Sequence, residues 1–163
     1  MKTKLLYIIV IMMASVLSAG AQNYKNSINF GVGFQYGIGG HISYDCKLIK
    51  WNEHSALTIG GYAGIERGDG YAWLGSNEHH DFDYKGLIAP RVGYAYSFNR
   101  HFELYTAFMP GLLINDKYDK PAKYEFFTGI TGGGRIQLYK NLYFFMEAGY
   151  NLLCYNAGIS LKF

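Results

Sequence analysis

Beyond one apolar run near its start, the sequence lacks any hydrophobic stretch of the roughly 20 residues that a membrane-crossing helix requires. Cysteine is scarce. Cys46 and Cys154 could pair in an oxidising compartment, but alternation puts them on strands two apart in a sheet. Two strand spacings are about 9.6 Å, beyond disulfide reach, so two free thiols are expected. Net charge is nearly absent as well: without Lys2 and Lys4 the chain carries 13 Lys and Arg against 12 Asp and Glu, which argues against nucleic acid as a partner. A phosphate-cradling loop is also missing, because Gly31, Gly33 and Gly37 lie in phase with a strand and precede no helix.

What the sequence does have begins with Lys2 and Lys4, an apolar run from Leu5 to Leu17, and Ala19-Gly20-Ala21. That is the order of a secretory signal peptide with a small-x-small cleavage site. Residues 1–21 are therefore expected to be removed, leaving one domain over residues 22–163, within the common single-domain range. No cysteine stands directly after the cut, which argues against a lipidated N terminus. The 16 Tyr, 11 Phe and 21 Gly suit alternating strands flanked by aromatic belts.

The segment 27–36 alternates cleanly, with Ile28, Phe30, Val32, Phe34 and Tyr36 on one face and Ser27, Asn29, Gly31, Gly33 and Gln35 on the other. Seven more segments repeat the split. Their apolar sets include Ile42, Tyr44, Cys46 and Leu48; Leu57, Ile59 and Ile65; Ile88, Val92, Tyr94 and Tyr96; Leu104, Phe108 and Leu112; Phe126, Ile130, Ile136 and Leu138; Phe144, Met146 and Tyr150; and Tyr155, Ala157, Ile159, Leu161 and Phe163. None of these apolar-face positions is charged. A soluble sandwich would instead carry Lys and Glu on its second face; here that face is Gly, Ser, Thr, Asn and Tyr with scattered charges. The pattern predicts an all-β fold, an eight-stranded antiparallel transmembrane up-and-down barrel whose closure removes the strand edges that lipid would penalise.

Connections alternate in length as such a barrel requires with both termini in the periplasm. The turns at Asn99-Arg100-His101 and Lys140-Asn141 are short, and the segment Arg67–Asp83 is a long, extracellular excursion. Pro90 and Pro110 fall inside strands as cross-strand neighbours, each without a ladder donor, so a bulge is expected there. Trp51, Trp73, Tyr44, Tyr94, Tyr96, Tyr124 and Tyr150 are candidates for the two interfacial girdles.

The last third of the chain runs from Gly132-Gly133-Gly134-Arg135 through Glu147-Ala148-Gly149-Tyr150 to Gly158-Ile159-Ser160-Leu161-Lys162-Phe163. It resembles the small, porin-like outer-membrane β-barrel family common in Bacteroidetes. Ala89-Pro90-Arg91-Val92-Gly93-Tyr94 and Leu104-Tyr105 match earlier pieces, so the resemblance covers essentially the whole mature chain. It implies residence in the cell outer membrane among lipid and lipopolysaccharide. The terminal Phe163, with Tyr155, Ala157, Ile159 and Leu161 in phase, resembles the signal that the outer-membrane assembly machinery reads on a last strand.

Charges on the inward face form the first candidate site. A hairpin centred near Lys140-Asn141 sets Arg135 opposite Glu147, with Arg91 at similar depth, and Arg91, Glu125, Arg135 and Glu147 are expected to form a lumen ion-pair network, since buried charges need partners. Eight strands leave an interior about wide enough for side chains, so a plugged lumen is the expectation, with a small porin or transporter for small or apolar solutes as the alternative. The long segment carries Arg67-Gly68-Asp69, a tripeptide that some host adhesion receptors recognise, so a host or envelope protein could engage segment 67–83. It also carries His79, His80 and Asp81, residue types that ligate divalent metals, although neighbouring side chains on a strand point apart. His41 and Ser43, with Asp45 nearby, are the closest approach to a catalytic set, and they lack a clear third group. No enzymatic activity and no cofactor are expected. A soluble periplasmic barrel holding a lipid inside is the remaining alternative.

Overall fold

The computed structural model describes residues 25–68, 84–117 and 120–163. Eight strands follow one another: β1 (Asn26–Phe34), β2 (Gly37–Lys50), β3 (Ser55–Gly68), β4 (Tyr84–Ser97), β5 (Phe102–Lys117), β6 (Lys120–Tyr139), β7 (Leu142–Tyr150) and β8 (Tyr155–Lys162). Each pairs antiparallel with the one before, and β8 closes on β1, so the ring has no free edge. At the seam Ile28 opposes Leu161 and Phe34 opposes Tyr155. The Asn26 and Phe163 backbones exchange two hydrogen bonds of 2.9 Å, which carries the ladder past the end of β8.

The alternation read from the sequence determines which way each side chain faces. Val32, Ile59, Val92, Phe108, Ile130 and Met146 are exposed on the outer wall, and their chain neighbours turn inward. Leu161 keeps outward parity but is buried, flanked by Ile28 and Leu142. Aromatic rings gather toward the barrel's ends. Trp51 lies 5.6 Å from Tyr94 and Tyr96 lies 4.9 Å from Phe98 at the end where the termini lie, and Phe34 meets Tyr155 at 5.7 Å at the other. Trp73 lies outside the described residues, as does the expected signal peptide.

The prolines behave differently from expectation. Pairing between β4 and β5 lapses from Ala89 to Arg91, but Ile88↔Leu112 and Val92↔Phe108 share one register, so no bulge forms. The two residues without an amide hydrogen face each other, which confines the loss to one short stretch. Pro90 still pairs with Gly61 and Pro110 with Thr128 on their other sides. Register shifts occur instead between Lys47 and Ile49, Asn115 and Lys117, and Gln137 and Tyr139. Cys154 sits in the turn before β8 rather than on a strand, and both thiols are free.

Candidate functional site

The third register shift rearranges the expected ion pairs. Lys140 adopts a positive φ of 42° in the turn, and the tight turn pairing Tyr139 with Leu142, together with the irregularity at Leu138, offsets the β6–β7 ladder by two residues from the expected pairing, so that Arg135 faces Phe145 and Glu147 faces Gly133. A shift of two keeps both side chains inward while changing their partners.

Arg135 crosses to β5 and β2. Its Nη1 donates to Glu103 Oε1 at 2.7 Å and its Nη2 to Asp45 Oδ2 at 2.9 Å and Asn29 Oδ1 at 3.3 Å. Arg91 takes the other oxygen of Asp45 through Nε at 3.0 Å and reaches Glu147 Oε1 through Nη2 at 2.7 Å. Tyr105 donates to the same Glu147 oxygen at 2.8 Å, and its ring lies 3.9 Å beneath the Arg135 guanidinium. Lys162 Nζ, 3.0 Å from Glu103 Oε2, ends the series. Charges therefore alternate Lys162, Glu103, Arg135, Asp45, Arg91, Glu147 across strands from every part of the ring, each at most 5 % exposed. Buried charges are tolerated when they alternate at hydrogen-bond distance, because each carboxylate is then solvated by cations instead of water.

Glycine makes room for this arrangement. A Cβ at Gly133 would come within 2.8 Å of the Tyr105 ring and of Glu147 Cγ, so the Gly132-Gly133-Gly134 run allows the ring to lie against the wall. At Gly31 a Cβ would strike the His41 ring.

Of the expected network, Arg91, Arg135 and Glu147 are present. Glu125 is not: it lies toward the far end of β6, its side chain 42 % exposed, paired with Lys123 at 2.6 Å. It sits on the stretch of β6 that pairs with the far end of β5, Leu113↔Glu125, well along the strand from Arg135. Asp45, Glu103, Tyr105, Asn29 and Lys162 belong to the network and were missed. Their signal was inward parity on neighbouring strands, which marks Asp45 and Glu103 as readily as Glu147.

Between the network and the long excursion the interior becomes apolar. Tyr62, Leu87, Ala89 and Met109 pack with Leu152 and Leu153, contributed by the β7–β8 turn. His41 lies between the two zones, stacked 5.0 Å from Tyr62 and edge-on 5.8 Å from Phe145, with neither ring nitrogen hydrogen-bonded. Ser43 instead accepts from Asn29 at 2.9 Å, and Asp45 is committed to the arginines, so the three residues are not wired together as a catalytic set. Glu66, fully buried near the end of β3, accepts the amides of Gln35, Tyr36 and Gly37 at 3.0, 2.7 and 2.9 Å and so pins the β1–β2 turn. Arg67 and Gly68 complete β3, opposite Ile38 and Gly37. Asp69, His79, His80 and Asp81 lie outside the described residues.

No family model and no curated protein matches the chain. Among solved structures it is similar to one described as "De novo design of transmembrane beta-barrels", with 15 % identity and a TM-score of 0.51 over 87 % of this chain and 98 % of that one. At that identity the likeness concerns the fold alone: this chain is an eight-stranded antiparallel up-and-down β-barrel with the architecture of a transmembrane barrel.

Proposed function

We propose that the chain is an integral outer-membrane protein, exported by cleavage of residues 1–21, whose lumen is plugged and which acts as a structural or surface-interaction protein rather than as an enzyme. The observation that carries this reading is the run of six alternating charges bridging the interior, backed by the apolar cluster around Leu153. An eight-stranded ring is about wide enough for side chains, and the charged and apolar layers that fill it support a closed lumen. The outer face, uncharged between the strand ends, and its aromatic rims support insertion in lipid. In the outer membrane the end that carries the termini and the turns 51–54, 98–101 and 140–141 would face the periplasm, and the segment 69–83 the exterior, where a host or envelope protein would meet it. Lipopolysaccharide and lipid would surround the wall, and the in-phase residues of β8 would be read by the assembly machinery. Kinship with the small porin-like barrels is part of the proposal.

The test is planar-bilayer conductance of the refolded chain, after heat-modifiable gel migration has verified a folded barrel. Silence supports a plugged lumen, whereas discrete openings would make the chain a small porin and overturn the reading.

A further inference from the structure

At the end of the barrel where the termini lie, the turns surround an open cavity of about 1010 Å3, with Lys47, Glu103 and Lys162 among the residues that line it. This matches the upper end of the size range of small-molecule sites, roughly 300–1,000 Å3. Two turns of its rim repeat one pattern, Asn52-Glu53-His54 and Asn99-Arg100-His101. In the first, Asn52 Oδ1 accepts the amides of His54 and Ser55 at 2.8 and 2.7 Å. In the second, Asn99 Oδ1 accepts those of His101 and Phe102 at 2.8 and 2.9 Å.

Each histidine then clips its turn to the next strand. His54 Nδ1 lies 2.9 Å from the Ser97 carbonyl and His101 Nδ1 2.8 Å from Gln137 Oε1; both partners are acceptors, so Nδ1 carries the hydrogen. The rim is tied turn to turn, and a ligand need not order it on binding.

The charge around this rim is unbalanced. Lys47, Lys50, Arg100 and Lys162 line the cavity against Glu53 and Glu103. Glu103 is already shared by Arg135, Lys162 and, at 3.6 Å, Lys47. The guanidinium of Arg100 has no hydrogen-bond or ion-pair partner among the described residues. Tyr143 joins rim to interior, its hydroxyl donating to the Arg100 carbonyl at 3.2 Å and its ring lying 4.3 Å from Lys162 Nζ. A cavity with surplus positive charge and low-dielectric walls concentrates anions.

We propose that this mouth binds a compact oxyanion carrying two or more negative charges, held by Arg100 at the rim and by Lys47 and Lys162 further in. The site does not depend on whether solute passes through the barrel. The experiment is isothermal titration of the purified chain in neutral detergent at low ionic strength, with pyrophosphate and, separately, citrate. Saturable one-to-one binding of either supports the site; pyrophosphate alone identifies a phosphoryl ligand, and citrate alone a carboxylate one. Arg100→Ala, in an exposed turn, should weaken binding about tenfold by removing a charge-assisted donor. Lys123→Ala removes the same charge at the opposite end of β6 and should leave the affinity unchanged. No saturable heat with either anion, or equal weakening by both substitutions in variants with wild-type gel migration, overturns the proposal.

Discussion

Removing either arginine of the lumen network should destabilise the barrel, but by unequal amounts that their bond counts do not foretell. Arg135 and Arg91 contact similar sets of groups, yet Arg135→Ala leaves no carboxylate alone: Glu103 keeps Lys162 at 3.0 Å and Asp45 keeps Arg91 at 3.0 Å. Arg91→Ala leaves Asp45 with Arg135, but Glu147 is left with only the Tyr105 hydroxyl at 2.8 Å, its other oxygen already without a partner. Breaking a buried pair costs about 3–5 kcal/mol, mostly through the charge left behind. The expected losses are therefore about 3 kcal/mol for Arg135→Ala and about 5 kcal/mol for Arg91→Ala, a difference worth roughly 30-fold in the unfolding equilibrium. Urea titration of the protein in lipid vesicles, read by heat-modifiable migration, measures both. The companion Arg91→Ala/Glu147→Gln should recover part of the loss by removing the stranded charge. An Arg135→Ala variant at least as damaged as Arg91→Ala, or no recovery in the double variant, would refute the reasoning.

Three further outcomes follow from other parts of the molecule. Leu153→Ala, at a fully buried position in the apolar cluster, should cost about 3 kcal/mol in the same titration, whereas a loss below about 1 kcal/mol would mean that the turn does not pack inside the barrel. Glu66→Ala should free the amides of Gln35, Tyr36 and Gly37, with a cost of about 2 kcal/mol and faster hydrogen exchange at those three residues; exchange unchanged there would remove the carboxylate from its assigned role. Val92→Arg places a charge midway along β4 on the outer wall and should cost about 2–4 kcal/mol in vesicles. A neutral effect would argue that this wall does not face lipid.

The fold was legible because period-two alternation needs no knowledge of the neighbouring strand. Ile28, Phe30 and Val32 against Ser27, Asn29 and Gly31 identify inside and outside by parity alone, and the same parity correctly turned Arg91, Arg135 and Glu147 inward. The partners were not legible. Arg135 and Glu147 lie on one hairpin, but its tight turn and the irregularity at Leu138 together offset the ladder by two residues from the pairing that would join them, and Arg135 goes to Glu103 and Glu147 to Arg91. Glu125 shares the inward parity of Arg135 yet lies too far along β6 to reach the network. Parity reports a face and says nothing about depth.

Strand number, the face to which each side chain turns, and an outer wall uncharged between its ends are written in the sequence, since these follow from the chain's own geometry and from the exclusion of charge from an apolar surface. How Lys162, Glu103, Arg135, Asp45, Arg91 and Glu147 line up into one alternating series emerges first when the ring closes. Closure also brings the Leu152-Leu153 turn inside the barrel and makes the repeated Asn-x-His turns into a single cationic mouth. Those arrangements depend on stagger around the closed ring, which is set by every register and every bulge together, and no single strand encodes it.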